Sequence, residues 1–418
     1  MAQLSDDCFA FGGELLSMSA ALELLGAKVA PVVAPETVPL KAARGRILAA
    51  PVVAPRDVPP HDNSAVDGYA VFFDDLVPGE TTVLKLAGRA AAGHPLVGTA
   101  RRGEAVRIFT GAPMPAGPDT VLMQEDCREA DGGVQIPPGI RRGANRRRAG
   151  EDVKAGATVL RPGQRLRAQE IGLAASLGCT ALEVYRPLRV AIFSTGDEVR
   201  DPGADLAPGA IYDANRYLLQ ALLQGLGAEV TDLGILADDR TRIAAALAAA
   251  ARDHDLILTS GGMSTGEEDH VKAAVEAQGS LHFWRLAIKP GRPVAMGQIG
   301  HVPFMGLPGN PVAVMVTFLI LTRPLVLRLA GGEPATPRRF RVTAGFDYKK
   351  RSNRCEFVRA RLERGGDGGW VARKFPRDGA GILSSMVESD GLAEIGEGIS
   401  RIEPGMSVEF IPFSEVLE

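Results

Sequence analysis

The stretch RVAIFSTGDEV, residues 189–199, decides the fold. After its arginine the segment is apolar without alternation, and it stops at a Gly-Asp-Glu loop. Such a run reads as a strand buried on both faces, as in a parallel sheet covered by helices. The pattern continues downstream with strands EVTDLGIL (229–236), DLILTS (255–260), FWRLAI (283–288) and VPFMGL (302–307). Helices fall between them. One carries Leu218, Leu222 and Leu226, with Leu219 and Leu223 beside them; others are TRIAAALAAAARD (241–253), HVKAAVEAQ (270–278) and a long one from Pro311. The alternation predicts a doubly wound, mostly parallel sheet. Its ligand site should lie beyond the carboxyl ends of the strands.

The flanking sequence differs. SAALELLGA (19–27) is a short helix, and the Pro-rich stretch 31–60 reads as extended edge strands and connections. VLKLAG (83–88), EAVRIFTG (104–111), TVLMQED (120–126) and GVQI (133–136) are short strands with no helical period, hence a small β domain. After GGEPATP (331–337) strands return, so residues 338–418 form a second β domain.

Composition bounds the function. The chain has 418 residues, 45% hydrophobic and 23% charged, which excludes collagen, wholesale disorder and a coiled coil. Its 49 glycines and 29 prolines exceed average usage without reaching low complexity. Aromatics at 5% argue against a base-stacking or carbohydrate-stacking surface. A net charge of −3, from 47 basic and 50 acidic residues, calls for neither nucleic acid nor an anionic membrane. The four cysteines form no CxxC pair and the six histidines have no metal-ligand spacing, so reduced, buried thiols are expected. Asp6 and Asp7 stand where a signal peptide would be basic. The apolar run Val312 to Leu321 is shorter than the roughly 20 residues of a membrane span and reads as a buried helix. A cytoplasmic protein is expected.

Five strand ends carry the chemistry. They are followed by Asp197 and Glu198, by Asp238 and Asp239, by GGMSTGEED (261–269), by KPGRP (289–293) with Lys289 and Arg292, and by PGNP (308–311). Gly-rich loops at helix N-termini offer N–H groups to anions. Lys289 and Arg292 add cationic oxyanion contacts. Glu198, Asp238 and Asp269 are the carboxylates for a Mg²⁺ bridging such anions. Plainer roles compete with these. Asp238 or Asp239 caps the next helix, Glu267 and Glu268 offset its dipole, and Pro308 and Pro311 end a strand and start a helix. Gly262 to Gly266 also matches the GxSxG nucleophile elbow. There the serine follows the strand directly, whereas Ser260, Gly261 and Gly262 intervene here, and three acids (267–269) would oppose an oxyanion. Outside the sheet, HDNSAVDGYAV (61–71) makes an Asp-rich turn, RIFTGAPMPAGPDTVLMQED (107–126) puts Thr110 at a strand end, and RRGANRRRAGED (141–152) is a solvated or salt-bridged arginine loop.

Together DNSAVDGYA, RIFTGAPMPAG, RRRAGED, STGDE, GGMSTGEED, LAIKPGRP and GLPGNPVA, in this order, resemble the MoeA family of molybdenum insertases, which includes the E domain of gephyrin. The resemblance implies four domains in an elongated homodimer. Residues 1–27 and 185–335 would be the MogA-like α/β molybdopterin-binding domain. Residues 28–52 and 152–184 would be an extended linking domain, 53–151 an inserted β domain, and 336–418 a β-barrel-like domain. It implies Mg²⁺ and a reaction: adenylylated molybdopterin and molybdate give molybdenum cofactor and AMP. An adenylyltransferase and recipient molybdoenzymes are the implied partners.

The family's functional residues fall on Asp67, Thr110, Asp152, Glu198, Asp238, Asp269, Lys289, Pro308 and Pro311. Gly261, Gly262, Ser264, Arg285, Arg292 and Asn310 lie in matching motifs, and Arg354 and Ser385 resemble the family's anion-contacting Arg and Ser. Asp67 and Thr110 would face the partner chain's α/β domain. Departures are Val66 for Met, and Arg292 and Arg285 where Lys is common. Two other readings are adenylylation by a MogA-type enzyme and a gephyrin-like scaffold. The first shares the STGDE and SGGxSxG loops but lacks the flanking β domains; the second has no long linker or fused domain here to support it.

Overall fold

The computed structural model describes residues 15–261, 270–333, 336–366 and 368–417. The chain divides into two compact units, one of residues 1–49, 162–167 and 181–418, the other of residues 50–161 and 168–180.

In the first unit, seven strands form one sheet: β1 (Leu15–Leu16), β2 (Arg189–Thr195), β3 (Glu229–Leu236), β4 (Leu256–Ser260), β5 (Gly279–Leu286), β6 (Pro293–Ile299) and β7 (Val302–Leu307). Their spatial order is β1-β5-β6-β7-β4-β2-β3. Only the pairings of β6 with β5 and with β7 are antiparallel, so β6 runs against all the others. The helices are α1 (Met18–Lys28), α2 (Ala214–Gly225), α3 (Arg240–Asp253), α4 (His270–Glu276) and α5 (Pro311–Leu329).

Alternate residues of each central strand serve opposite faces. Val190, Ile192, Leu256 and Leu258 join α1, α2 and α5 in one core, while Ala191, Phe193 and Ile257 pack with α3 and α4 in the other. Both faces are therefore covered, as the unbroken apolar runs require. On α2, Leu219 and Leu223 are buried, and Leu218, Leu222 and Leu226 flank them. Helix α5 is long and apolar enough to cross a membrane, yet 94% of its apolar window is buried inside the protein. It widens into a π turn at Phe318–Thr322, just before Pro324. Proline has no N–H for the carbonyl four residues back and clashes with it, which gives the wider turn its cause.

Two expectations needed revision. FWRLAI is not one strand: β5 starts at Gly279 and ends at Leu286, and Ile288–Lys289 leaves the sheet to pair with Cys355–Glu356. PVAMGQI (293–299), not among the expected strands, is β6, hairpinned onto β5.

The C-terminal strands are β8 (Phe340–Ala344), β9 (Cys355–Arg364), β10 (Trp370–Lys374), β11 (Gly391–Ile395) and β12 (Ser407–Pro412). They pair in the order β9-β10-β8-β12-β11, and β11 pairs back onto β9, closing a five-stranded barrel. Small and branched side chains fill it, among them Val342, Ala360, Ala372, Ala393 and Val408. The opposite parity of β9 and β11 places Phe357 and Leu392 in the α1/α2/α5 core.

The second unit is built on a six-stranded sheet, ordered Thr120–Met123, Gly68–Val71, Glu104–Ile108, Thr82–Ala90, Gly133–Ile136, Arg128–Ala130. The four expected short strands are all present in it. Helix Ala168–Ser176 falls in a stretch read as extended; it buries only Ala174, so its apolar stripe is too thin to register as a helical period. The arginine loop is salt-bridged as expected. Arg142 pairs with Asp74 and Asp119, Arg146 with Asp62, and Arg147 with Glu151.

Candidate active site

Strands β2, β3, β4, β5 and β7 all point their carboxyl ends to one edge, because β6 alone is reversed. Two clefts open there. The first, of about 650 Å³, is lined by Thr195, Gly196 and Glu198 after β2, Asp238 after β3, Ser260 and Gly261 after β4, and Asn310 and Pro311 after β7. Tight backbone makes room for it. Gly196 has φ +134°, and a Cβ there would stand 2.7 Å from Glu198 Oε2.

The competition between Asp238 and Asp239 is settled by hydrogen bonding. Asp239 is the N-cap of α3 and accepts from Arg242 N–H at 2.8 Å. Asp238 is exposed and lines the cleft. Two buried oxygens on the cleft wall, Ser194 Oγ and Asn215 Oδ1, have no hydrogen-bond partner among the described residues. Both oxygens face the cleft wall with acceptor capacity to spare. Asn215 Nδ2 donates to Gly309 O at 2.7 Å and ties α2 to the PGNP loop.

The second cleft, of about 440 Å³, shares Gly309 and Asn310 with the first. Lys289, Pro308, Tyr348, Glu356 and Arg359 are in its wall. Glu356 is 1% exposed. Burial pushes its carboxyl up, but the Tyr348 hydroxyl, the Arg354 guanidinium and the Lys289 ammonium outweigh that and hold it below the ordinary range. Tyr348 donates to Oε2 at 2.6 Å, Arg354 Nε to Oε1 at 2.7 Å, and Lys289 Nζ stands 3.3 Å from Oε2. Arg359 is 7% exposed; Nε donates to Ser385 Oγ at 3.0 Å and Nη2 to Gly379 O at 3.1 Å. Gly291 has φ +103°, and a Cβ there would meet Thr317 Oγ1 at 2.2 Å, so the loop after Lys289 lies directly on α5. The barrel also reaches α5, where Val312 N–H donates to Ala380 O at 2.9 Å.

The structure thus gathers Glu198, Asp238, Gly261, Asn310 and Pro311 in the first cleft, and Lys289, Pro308 and Asn310 in the second. Gly262, Ser264, Glu267, Glu268 and Asp269 lie outside the described residues. Arg285 and Arg292 are exposed and line neither cleft. Arg354 is committed to Glu356 rather than to the cleft wall. Ser385 is fully buried; its hydroxyl donates to Ile382 O at 2.5 Å and accepts from Arg359. Arg359 and Glu356 were missed. Strand parity was the available signal: in CEFVRARL, Phe357 and Arg359 share a face, so an apolar residue and an arginine both turn toward a neighbouring domain.

In the second unit, Asp67 Oδ1 accepts from both the N–H (2.8 Å) and the hydroxyl (2.7 Å) of Thr110, and these two bonds hold the carboxyl below its usual range. Asp152 is exposed and its N–H donates to Val58 O at 3.1 Å.

Among the described residues no group of three or more His, Cys, Asp or Glu side chains is placed to hold a metal ion. Glu198 and Asp238 offer the hard carboxylate oxygens of the kind Mg²⁺ takes, one or two at a time, together with substrate phosphates.

Three family models match the chain in order. They are the MoeA N-terminal region (domain I and II) over residues 16–178, the probable molybdopterin binding domain over 191–328, and the MoeA C-terminal region (domain IV) over 341–413. The molybdopterin molybdenumtransferase of Haemophilus influenzae is 39% identical over 380 residues, covering 90% of this chain and 94% of that one. Molybdopterin molybdenumtransferase 2 of Mycobacterium tuberculosis is 37% identical over 389 residues, with the same coverage. Among solved structures, two of the MoeA molybdopterin biosynthesis protein from Pyrococcus horikoshii superpose over 96% of this chain. Their TM-scores are 0.82 and 0.75, at 28% and 31% identity. The chain belongs to the MoeA family of molybdopterin molybdenumtransferases.

Proposed function

We propose that this chain is a molybdenum insertase: it transfers molybdate into adenylylated molybdopterin, giving molybdenum cofactor and releasing AMP. The observation that carries the reading is the pair of adjoining clefts joined at Gly309 and Asn310 in a chain of this family: Glu198, Asp213 and Asp238 line the first, and Lys289 and Arg359 stand beside Glu356 and Asp378 in the second. One ligand bears a pyrophosphate and the other is an oxyanion, so the reaction needs two anion sites side by side.

Glu198 and Asp238 would hold Mg²⁺, which supplies charge compensation for the pyrophosphate when bound. Gly261 offers the phosphates bare backbone with no side chain between. Lys289 and Arg359 place two cations on the second cleft for molybdate, with Glu356 fixing the Lys289 ammonium. Ser385 reaches this wall through its hydrogen bond from Arg359. Asn215 and Asn310 hold the wall common to both ligands. A homodimer, in which Asp67 and Thr110 complete the partner's site, and a cytoplasmic location belong to the same proposal.

The test is reconstitution: purified protein, adenylylated molybdopterin, molybdate and Mg²⁺, with AMP followed in time. Molybdate-dependent AMP release abolished by chelator is the expected result. ATP-dependent adenylylation of molybdopterin, with no molybdate-dependent AMP release, would assign the chain to the preceding step instead.

A further inference from the structure

We propose that Arg216 is a positioning residue for two carboxylates of the acidic cleft, Glu198 and Asp238. The inference rests on the reading of that cleft as the Mg²⁺ and nucleotide site.

Arg216 is 4% exposed, in the first turn of α2, and touches neither carboxylate. Its guanidinium instead takes three aspartates from three different segments. Nη1 donates to both oxygens of Asp232 at 2.7 Å, Nε to Asp213 Oδ2 at 3.0 Å, and Nη2 to Asp201. Each of these segments runs into the cleft wall.

Asp201 stands three residues after Glu198, at the base of an exposed loop that returns at Ile211. That return is pinned to the Glu198 backbone, because Ile211 N–H donates to Glu198 O at 2.8 Å. Asp232 sits where β3 breaks register with β2, between the pairs Ile192↔Asp232 and Ser194↔Ile235. Its Oδ1 also accepts from Gly234 N–H at 2.8 Å, closing the bulge. A bulge re-aims the strand beyond it, and Asp238 lies two residues past the end of β3. Asp213 is the N-cap of α2 and lines the cleft itself. One guanidinium therefore fixes the loop bearing Glu198, the strand end leading to Asp238, and the helix start between them.

The chemistry suits arginine alone. Three separate carboxylates need donors fanned in one plane, and a guanidinium offers five in a rigid fork where an ammonium offers a point charge. Stability by itself does not account for Asp201, whose side chain is 54% exposed yet reaches back to a buried cation. With its own side chain mostly in solvent, Asp201 adds less to folding than the more buried Asp213 and Asp232; what it does is hold down the loop that carries Glu198.

The experiment is AMP binding by calorimetry as a function of Mg²⁺ concentration, on Asp201→Asn, Arg216→Lys and Glu198→Gln in the full chain. Asp201→Asn removes only the exposed tether. It should raise the Mg²⁺ concentration for half-maximal AMP binding about tenfold, the scale of losing an outer-shell partner, with the melting temperature unchanged. Arg216→Lys should shift the curve at least as far, because the fork is lost while the charge stays. Folding loss in this second variant leaves the Asp201 result decisive. A wild-type Mg²⁺ curve for Asp201→Asn, beside a displaced one for Glu198→Gln, overturns the positioning role. An undisplaced curve for Glu198→Gln overturns the cleft assignment, and the positioning role with it.

Discussion

Asp238 and Asp239 are adjacent, chemically identical and differently employed, because only Asp239 meets the first turn of α3. Asp239→Ala should therefore destabilise the fold by about 1 kcal/mol, a lost N-cap, and leave AMP release nearly intact. Asp238→Asn should do the reverse, with an unchanged urea midpoint and a large loss of Mg²⁺-dependent AMP release. Equal effects of the two in both assays would sink the division of labour. Glu356 carries a pH signature. Its carboxyl is held below its ordinary 4.5, so its contribution is fully present above that pH and is lost as pH falls through the depressed value. Glu356→Gln should cost roughly 2 kcal/mol near neutrality, because the buried side chain loses its charge-assisted bonds to the partly exposed Arg354 and Lys289. It should also flatten the decline of stability below pH 4.5, read from urea midpoints across that range.

At the scale of elements, the site depends on how strand ends are turned. The Lys289 loop is held down because Gly291 lets backbone lie on Thr317. Gly291→Ala combines a left-handed φ with a clash against α5. A loss of about 2 kcal/mol is expected, with weakened molybdate dependence of AMP release, since Lys289 moves with the loop. A stability change without any change in molybdate KM would detach the loop from that ligand. The central strands, 189–195, 256–260 and 302–307, were legible as nearly unbroken apolar runs. Strand 293–299 was not, because it begins on a proline and follows directly on the KPGRP loop. A proline at the first position of a strand is compatible with pairing. The end of FWRLAI was misjudged for another reason: Ile288 and Lys289 stay extended, but their ladder belongs to the barrel.

At the scale of the molecule, the barrel is part of the α/β domain's core rather than an appendage. Phe357, Met386, Leu392 and Ile411 pack in the same cluster as Val190 and Leu258, and Ile288–Lys289 pairs with the barrel's own strand. A chain ending at residue 333 should expose that apolar face. It should be recovered aggregated, or should unfold without a cooperative transition in urea. A monodisperse, cooperatively unfolding fragment would show the core to be complete without the barrel.

The sequence by itself determined the doubly wound sheet, the flanking β domains, the family and the loops that meet at one edge. Those are properties of periodicity and of local turn chemistry, which neighbouring residues set among themselves. Only the tertiary structure decided that Asp239 caps while Asp238 faces the cleft, that Arg359 rather than Arg354 enters the wall of the second cleft, and that Arg216 gathers three aspartates. Each of these choices depends on which way a side chain points after distant segments have packed, and on what charge it then meets. Arg216 and Asp201 are 15 residues apart along the chain and adjacent in space because one loop folds back. That proximity is produced by burial and pairing across the whole domain, not by spacing in the sequence.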